Sequence, residues 1–219
     1  MLIEILSLTA AGEHEIFVSF KLTGAEGSEC KRFLISDVAY IELGLQRGES
    51  TREQYEQVEY ESEVYVAYKR GLAILGFGGC SERMLASKLI NKGIEKKIAL
   101  RAVARLCDKG FVNERENACR EAERAAVKLW GESRIRAHLR SRGYRDESVD
   151  AAMFFLEDEG VDFDKNCITV VENKCKHLPQ DKLVLQKLIA SVCRYGYSFA
   201  QVKSAIATIA DRKEDIYRM

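Results

Sequence analysis

A helix–glycine–helix pattern occurs three times in this chain, and it is the strongest constraint on the fold. The turn glycines are Gly93, Gly143 and Gly196, which lie 50 and 53 residues apart. Apolar residues recur eight and four positions before each glycine, and one, six, ten and thirteen positions after it, which is the spacing of one helix face. A unit of this size cannot bury its apolar face alone, so we expect neighbouring copies to stack.

The aligned positions define the predicted architecture. They are Leu85, Ile135 and Leu188; Leu89, Leu139 and Val192; Ile94, Tyr144 and Tyr197; Ala99, Val149 and Val202; Val103, Met153 and Ile206; and Leu106, Leu156 and Ile209. Each copy reads as one long helix (about 52–76, 114–130 and 163–177) and two shorter helices flanking the turn glycine. We therefore predict a mainly α fold, an elongated, curved array of three tandem three-helix repeats over residues 50–111, 112–160 and 161–219.

The first 49 residues differ from the rest and predict a small β-rich N-terminal module. Three short runs rich in β-branched and aromatic residues (LIEILSLT, EIFVSFKL and KRFLISD) are separated by polar segments with glycine. Ser36 or Asp37 is placed to cap a short helix that ends near Gly44. A module of this size is too small to be stable alone, so we expect it to dock on the helices that follow.

Composition excludes several classes of protein. No basic start precedes a long apolar run, and no stretch approaches the roughly 20 apolar residues that span a bilayer. We therefore expect a cytoplasmic protein without a membrane segment. The seven cysteines include no CxxC pair. Cys167, Cys175 and His177 have an unfamiliar spacing and lack a fourth ligand, so we expect reduced thiols, no metal and no cofactor.

No catalytic constellation is recognisable in the sequence. The GxSxG, P-loop and HExxH patterns do not occur, and the chain holds three histidines. The glycine-rich segment at 76–79 lacks the lysine of a phosphate loop and is better explained as a helix break. We expect a protein that is not an enzyme.

The charge distribution indicates a binding surface in the middle of the chain. Residues 79–145 hold 17 basic and 8 acidic side chains, for a net charge of +9, although the whole chain is neutral. Such an excess attracts phosphates or an acidic protein surface, and an ordinary solvated surface is the alternative. We interpret Trp130 as packing between copies. The candidate contacts for a partner or nucleic acid are Lys88, Lys92, Lys97, Arg101, Arg105, Arg134, Arg136, Arg140, Arg142 and Arg145.

Four segments resemble the RecX family, which regulates the RecA recombinase. They are SERMLASKLINKGI, ALRAVARLCDKGFV, RIRAHLRSRGYRDESVDAAM and RYGYSFAQVKSAI, and the resemblance covers roughly residues 55–211. It implies three tandem three-helix repeats and binding within the groove of the RecA–DNA filament. It also implies modulation, usually inhibition, of recombination, ATP hydrolysis and coprotease activity during DNA repair and the SOS response.

Two other functions stay open at the level of sequence. A helix-turn-helix protein acting on duplex DNA without RecA would also show helix–glycine–helix segments, and a scaffold for protein partners would bind without any nucleic acid. Direct binding of single- or double-stranded DNA by a RecX-like protein is likewise open. We expect a monomer.

Overall fold

The structure is a computed structural model that describes residues 2–25, 27–175 and 177–218, with the backbone alone beyond residue 212. The chain divides into two compact units. Unit 1 comprises Met1–Gly79 and Leu85–Val112, and unit 2 comprises Cys80–Met84 and Asn113–Met219. Every helix within the described ranges is too short or too polar to cross a lipid bilayer.

Unit 1 begins with an antiparallel sheet, which confirms the β-rich N-terminal module. The strands are β1 (Leu2–Gly12), β2 (Glu15–Gly24), β3 (Gly27–Ser36) and β4 (Gly48–Glu49). Their order in the sheet is β3-β2-β1-β4. At the end of β3, Ser36 accepts a hydrogen bond from the amide of Ala39 and caps the short helix α1, Asp37–Glu42.

The sheet shares its core with helix α2 (Arg52–Leu75). The rings of Phe20 and Tyr55 meet edge to face with their centroids 5.2 Å apart, the geometry that aromatic pairs prefer. The module is therefore packed on a helix, as its small size predicts. The core includes alternate strand residues, two residues of α2, Ala39 of α1 and Leu45; the strand and α2 residues are Ile3, Ile5, Val18, Phe20, Ile35, Tyr55 and Val58.

The predicted pattern of one long helix followed by two shorter ones is found only in the first group of helices, because the second group has helices of 13, 10 and 13 residues and the third has helices of 12, 12 and 20 residues. Unit 1 holds α4 (Lys96–Asp108) and most of α3 (Glu82–Ile90). Unit 2 holds α5 (Glu114–Ala126), α6 (Glu132–Ser141), α7 (Asp146–Asp158), α8 (Phe163–Lys174), α9 (Lys182–Cys193) and α10 (Phe199–Arg218). Helix α5 ends four residues earlier than predicted. Leu129 has a left-handed backbone conformation (φ 58), and a right-handed helix cannot continue through such a residue.

The predicted apolar columns are largely buried. Side chains four residues before, and six and thirteen residues after, each turn glycine are at most 7% exposed, whereas Ile94 and Ile206 are half-buried. Within unit 2, α5, α6 and α7 enclose one core and α8, α9 and α10 enclose another. The mainly α fold with its N-terminal sheet is thus confirmed, while the elongated, curved array and its repeat boundaries stay predictions.

Helix caps decide where several of these helices begin. The side chain of Asn113 accepts from the amide of Glu116, and Ser198 and Gln201 form a reciprocal capping box. Asp146 is the first residue of α7, and Arg145 occupies the cap position. Because Asp146 lies in the first turn, its negative charge still interacts favourably with the positive end of the helix dipole.

Candidate partner-binding surface

Five of the ten predicted contact residues lie in unit 1, and they differ in how freely they can meet a partner. Lys88, Lys92 and Arg101 are exposed and form no ion pair with another described residue. The amine of Lys97 lies 5.2 Å from the ring centre of Tyr60. Arg105 is half-buried and donates to Glu61 at 2.7 Å. Arg105 is thus engaged within the fold, while the first three present free charges.

Four of the five predicted arginines in unit 2 are paired with carboxylates of the same unit. Such pairs are partly exposed, and each contributes about 0–1 kcal/mol to stability. They nevertheless cancel the positive potential that a phosphate would meet. The pairs are Arg136 with Glu132 (2.8 Å) and Asp150 (2.5 Å), Arg140 with Asp146 (2.8 Å), Arg142 with Glu121 (2.8 Å), and Arg145 with Glu82.

The carboxylates that neutralise these arginines come from several helices. Along the chain, the carboxylates next to these arginines are Glu132, Asp146 and Glu147, and this count is incomplete. Folding adds Glu121 of α5 and, from the start of α3, Glu82. Hydrogen bonds to Glu132 and then Asp150 also raise the pKa of the Arg136 guanidinium. Its charge is therefore bound to this site rather than available to a ligand.

Arg142 is engaged within the fold in a similar way. Its Nε atom is buried and lies 2.8 Å from a carboxylate oxygen of Glu121. The positive charge of this side chain is therefore directed at a carboxylate of α5 rather than presented to a ligand.

The fifth arginine, Arg134, belongs to a different arrangement. Its guanidinium lies 4.0 Å from the ring centre of Trp130 and 5.4 Å from that of Tyr195. The amines of Lys128 and Lys174 lie 5.7 and 4.7 Å from the centres of the same two rings. None of the three cations pairs with a carboxylate among the described residues. We call these five residues the cation–aromatic cluster: Lys128, Trp130, Arg134, Lys174 and Tyr195.

Two glycines allow the segments that carry the cluster to meet. The amide of Gly131 donates to the carbonyl of Tyr195 at 2.7 Å, and the Ser133 hydroxyl donates to the carbonyl of Gly196 at 2.7 Å. A Cβ on Gly131 would lie 2.5 Å from the carbonyl carbon of Gly196. A Cβ on Gly196 would lie 2.5 Å from the Cβ of Arg134. Only glycine permits this approach, which brings Tyr195 next to Arg134.

Trp130 is both a packing residue and a cluster residue. It is half-buried against the core of α5, α6 and α7, so it packs within the second predicted copy, whereas the prediction was packing between copies. The ring of His138 meets it edge to face, with centroids 5.3 Å apart, and His138 also faces Glu121 at 3.3 Å. The cationic groups of Lys128 and Arg134 lie over the remaining surface of the Trp130 ring. Sequence reasoning missed Lys174 and Tyr195 because they are distant from Trp130 along the chain, and it also missed Lys128, which lies only two residues from Trp130.

The cysteines and acidic residues do not form a metal site within the described parts of the chain, where no three His, Cys, Asp or Glu side chains converge. Cys167 is fully buried, and burial raises the pKa of its thiol to about 11. A thiol with so high a pKa is almost wholly protonated at neutral pH and is a poor nucleophile. Cys167 therefore acts as a small apolar core residue.

Comparison with known proteins relates the chain to one family. No family model matches it. Two curated proteins named "Regulatory protein RecX", from Xanthomonas axonopodis pv. citri (strain 306) and Xanthomonas citri, are each 27% identical to it over 138 residues, which is 63% of this chain and 83% of each relative.

Solved structures support the same fold. A crystal structure of regulatory protein RecX matches with a TM-score of 0.72 and 16% identity, over 92% of this chain and 99% of that one. The crystal structure of RecX from Lactobacillus salivarius matches with a TM-score of 0.57 and 17% identity, over 68% of this chain and 97% of that one.

Proposed function

We propose that this chain, which belongs to the RecX family of regulatory proteins, binds the RecA–DNA filament and inhibits its recombinase, ATPase and coprotease activities. This role would place it in cytoplasmic DNA repair and the SOS response, acting by binding and without catalysis or a cofactor. The family relation supports the regulatory role. The cation–aromatic cluster is the observation that carries the DNA contact, since its three cations have no carboxylate partner among the described residues.

The chemistry of the cluster suits a DNA strand. Lysine and arginine side chains neutralise phosphates and release the counterions bound to them, which makes binding salt-dependent. An arginine over an aromatic ring presents a flat cation to the same ligand. The cluster combines both features. The paired arginines of α6 would have to break ion pairs before meeting a phosphate.

Helix-turn-helix recognition of duplex DNA is less well supported by the second helix–glycine–helix segment. In the second helix–glycine–helix segment, α7 occupies the place of a recognition helix. Its sequence, DESVDAAMFFLED, contains no lysine or arginine. Carboxylates repel phosphates, so this helix is unsuited to lie in the major groove. Tight, sequence-dependent binding of the chain to duplex DNA without RecA would reverse this judgement.

The proposed function predicts a dose-dependent effect on RecA. Adding the purified chain to RecA filaments on single-stranded DNA is expected to lower the steady-state ATPase rate, because a protein bound in the groove opposes the filament's conformational cycle. ATP hydrolysis by a coupled assay and co-sedimentation with the filament measure the two effects. RecA without DNA and DNA without RecA are the controls. Absence of both co-sedimentation and any change in hydrolysis would contradict the proposal.

A further inference from the structure

Unit 2 contains an open groove whose chemistry is opposite to that of the cation–aromatic cluster. The groove has a volume of about 660 Å³ and lies between α6, α7, the start of α8 and α10. Five carboxylates and one guanidinium line it, and that guanidinium, Arg136, is already paired with Glu132 and Asp150. Phosphates are therefore repelled, and the groove favours a cationic ligand.

Apolar side chains form part of the groove wall. Met153 is buried, and Val161 and Phe163 are half-buried, whereas Phe154 is 67% exposed. An exposed aromatic ring beside apolar neighbours is typical of a contact surface. The fold does not require this ring. The corresponding positions, eleven residues after the other two turn glycines, are the exposed alanines Ala104 and Ala207.

The carboxylates are distributed around the groove. Asp162 caps α8 by accepting from the amide of Lys165, and Asp164 accepts from the side chain of Gln201. The side chain of Glu157 is exposed and has no hydrogen-bond or ion-pair partner among the described residues. In the described parts of the chain, no three such groups converge on one point as a metal ion requires. Separated negative charges suit a ligand with several positive charges along its length.

We propose that this groove binds a protein segment in which one large apolar side chain is flanked by lysines or arginines. The apolar side chain packs on Phe154 and its apolar neighbours, and the basic side chains meet the surrounding carboxylates, Glu157 among them. Burial of an apolar anchor inside a ring of polar contacts is how such segments gain most of their affinity. This inference goes beyond the proposed function, since it assigns a protein ligand to a surface separate from the DNA contact.

The test uses the full chain and a random 12-residue peptide library displayed on phage. Selection on the wild-type chain, with the Phe154→Ala chain for counter-selection, is expected to enrich peptides with one large apolar residue among lysines or arginines. An enriched peptide, labelled with a fluorophore, should bind Phe154→Ala roughly tenfold more weakly, because an apolar anchor contact is lost. Binding should also weaken in Glu157→Gln and with added salt, which screens charges.

Matched controls separate the groove from general stickiness. Phe77→Ala removes a 96% exposed phenylalanine of unit 1 and is expected to leave peptide affinity unchanged. Peptides that bind Phe154→Ala as well as wild type, peptides rich in acids, or no enrichment at all would overturn the proposal. Self-association of the wild-type chain in sedimentation that Phe154→Ala abolishes would also overturn it, in favour of a second copy as the occupant.

Discussion

Replacing Gly196 with alanine is expected to lower the free energy of unfolding by about 2–5 kcal/mol, the sum of a left-handed backbone cost and an overpacking cost. Gly196 has a φ of 101, and the added Cβ would lie 2.5 Å from the Cβ of Arg134 and 2.6 Å from its backbone nitrogen. Backbone atoms cannot move aside as a flexible side chain can. Urea unfolding followed by the fluorescence of Trp130, the chain's single tryptophan, measures the change.

Two other glycines separate the two causes. Gly131 has an ordinary φ of −76, but its Cβ would lie 2.5 Å from the backbone of Gly196, so Gly131→Ala should cost about 1–3 kcal/mol through crowding alone. Gly160 has a φ of 74 with nothing within 4 Å of its Cβ, so Gly160→Ala should cost about 1–2 kcal/mol through backbone strain alone. A loss at Gly196 no larger than that at Gly160 would contradict the described contact.

The fold could be predicted from sequence wherever the cause is local. Turn glycines, caps and apolar spacing depend on residues a few positions apart, and Gly93, Gly143 and Gly196 all adopt the positive φ that such turns need. The contact between Gly131 and Gly196 could not be predicted, because their 65-residue separation hides it. The end of α5 was missed for another reason. Leu129 adopts a left-handed conformation that leucine disfavours, and its carbonyl accepts from the Tyr197 hydroxyl at 2.8 Å.

The candidate site illustrates the limits of counting charges along a chain. The segment from Arg134 to Arg145 looks uncompensated in sequence, but tertiary structure supplies partners such as Glu82 and Glu121 from elsewhere in unit 2. Of the three cations in the cation–aromatic cluster, which have no carboxylate partner among the described residues, Lys128 and Lys174 lie outside that segment. Their shared feature is an aromatic ring beneath the charge. A distant residue, Tyr195, supplies one of those rings, so only the folded arrangement identifies the set.

Replacing Lys128, Arg134 and Lys174 together with alanine is expected to weaken binding to RecA filaments on single-stranded DNA by about tenfold or more at low salt. Three phosphate contacts would be lost, so the slope of the logarithm of affinity against the logarithm of salt concentration should fall by about two. Alanine at 134 keeps the Cβ that packs on Gly196, so the fold should persist. Fluorescence anisotropy of labelled DNA across a salt series measures both quantities.

The matched control is the triple replacement of Arg136, Arg140 and Arg142 with alanine, which removes the same formal charge from the same unit. These side chains already pair with carboxylates, so this variant should change the salt slope of DNA binding by less than one. It should also change the free energy of unfolding, because the ion pairs are lost. Equal salt slopes for the two variants would mean that DNA does not prefer the cations over aromatic rings to the arginines paired with carboxylates. A larger effect from the paired arginines would return the DNA contact to the face of α6, because ligand phosphates would then be displacing Glu132, Asp146 and Glu121 from their guanidinium partners.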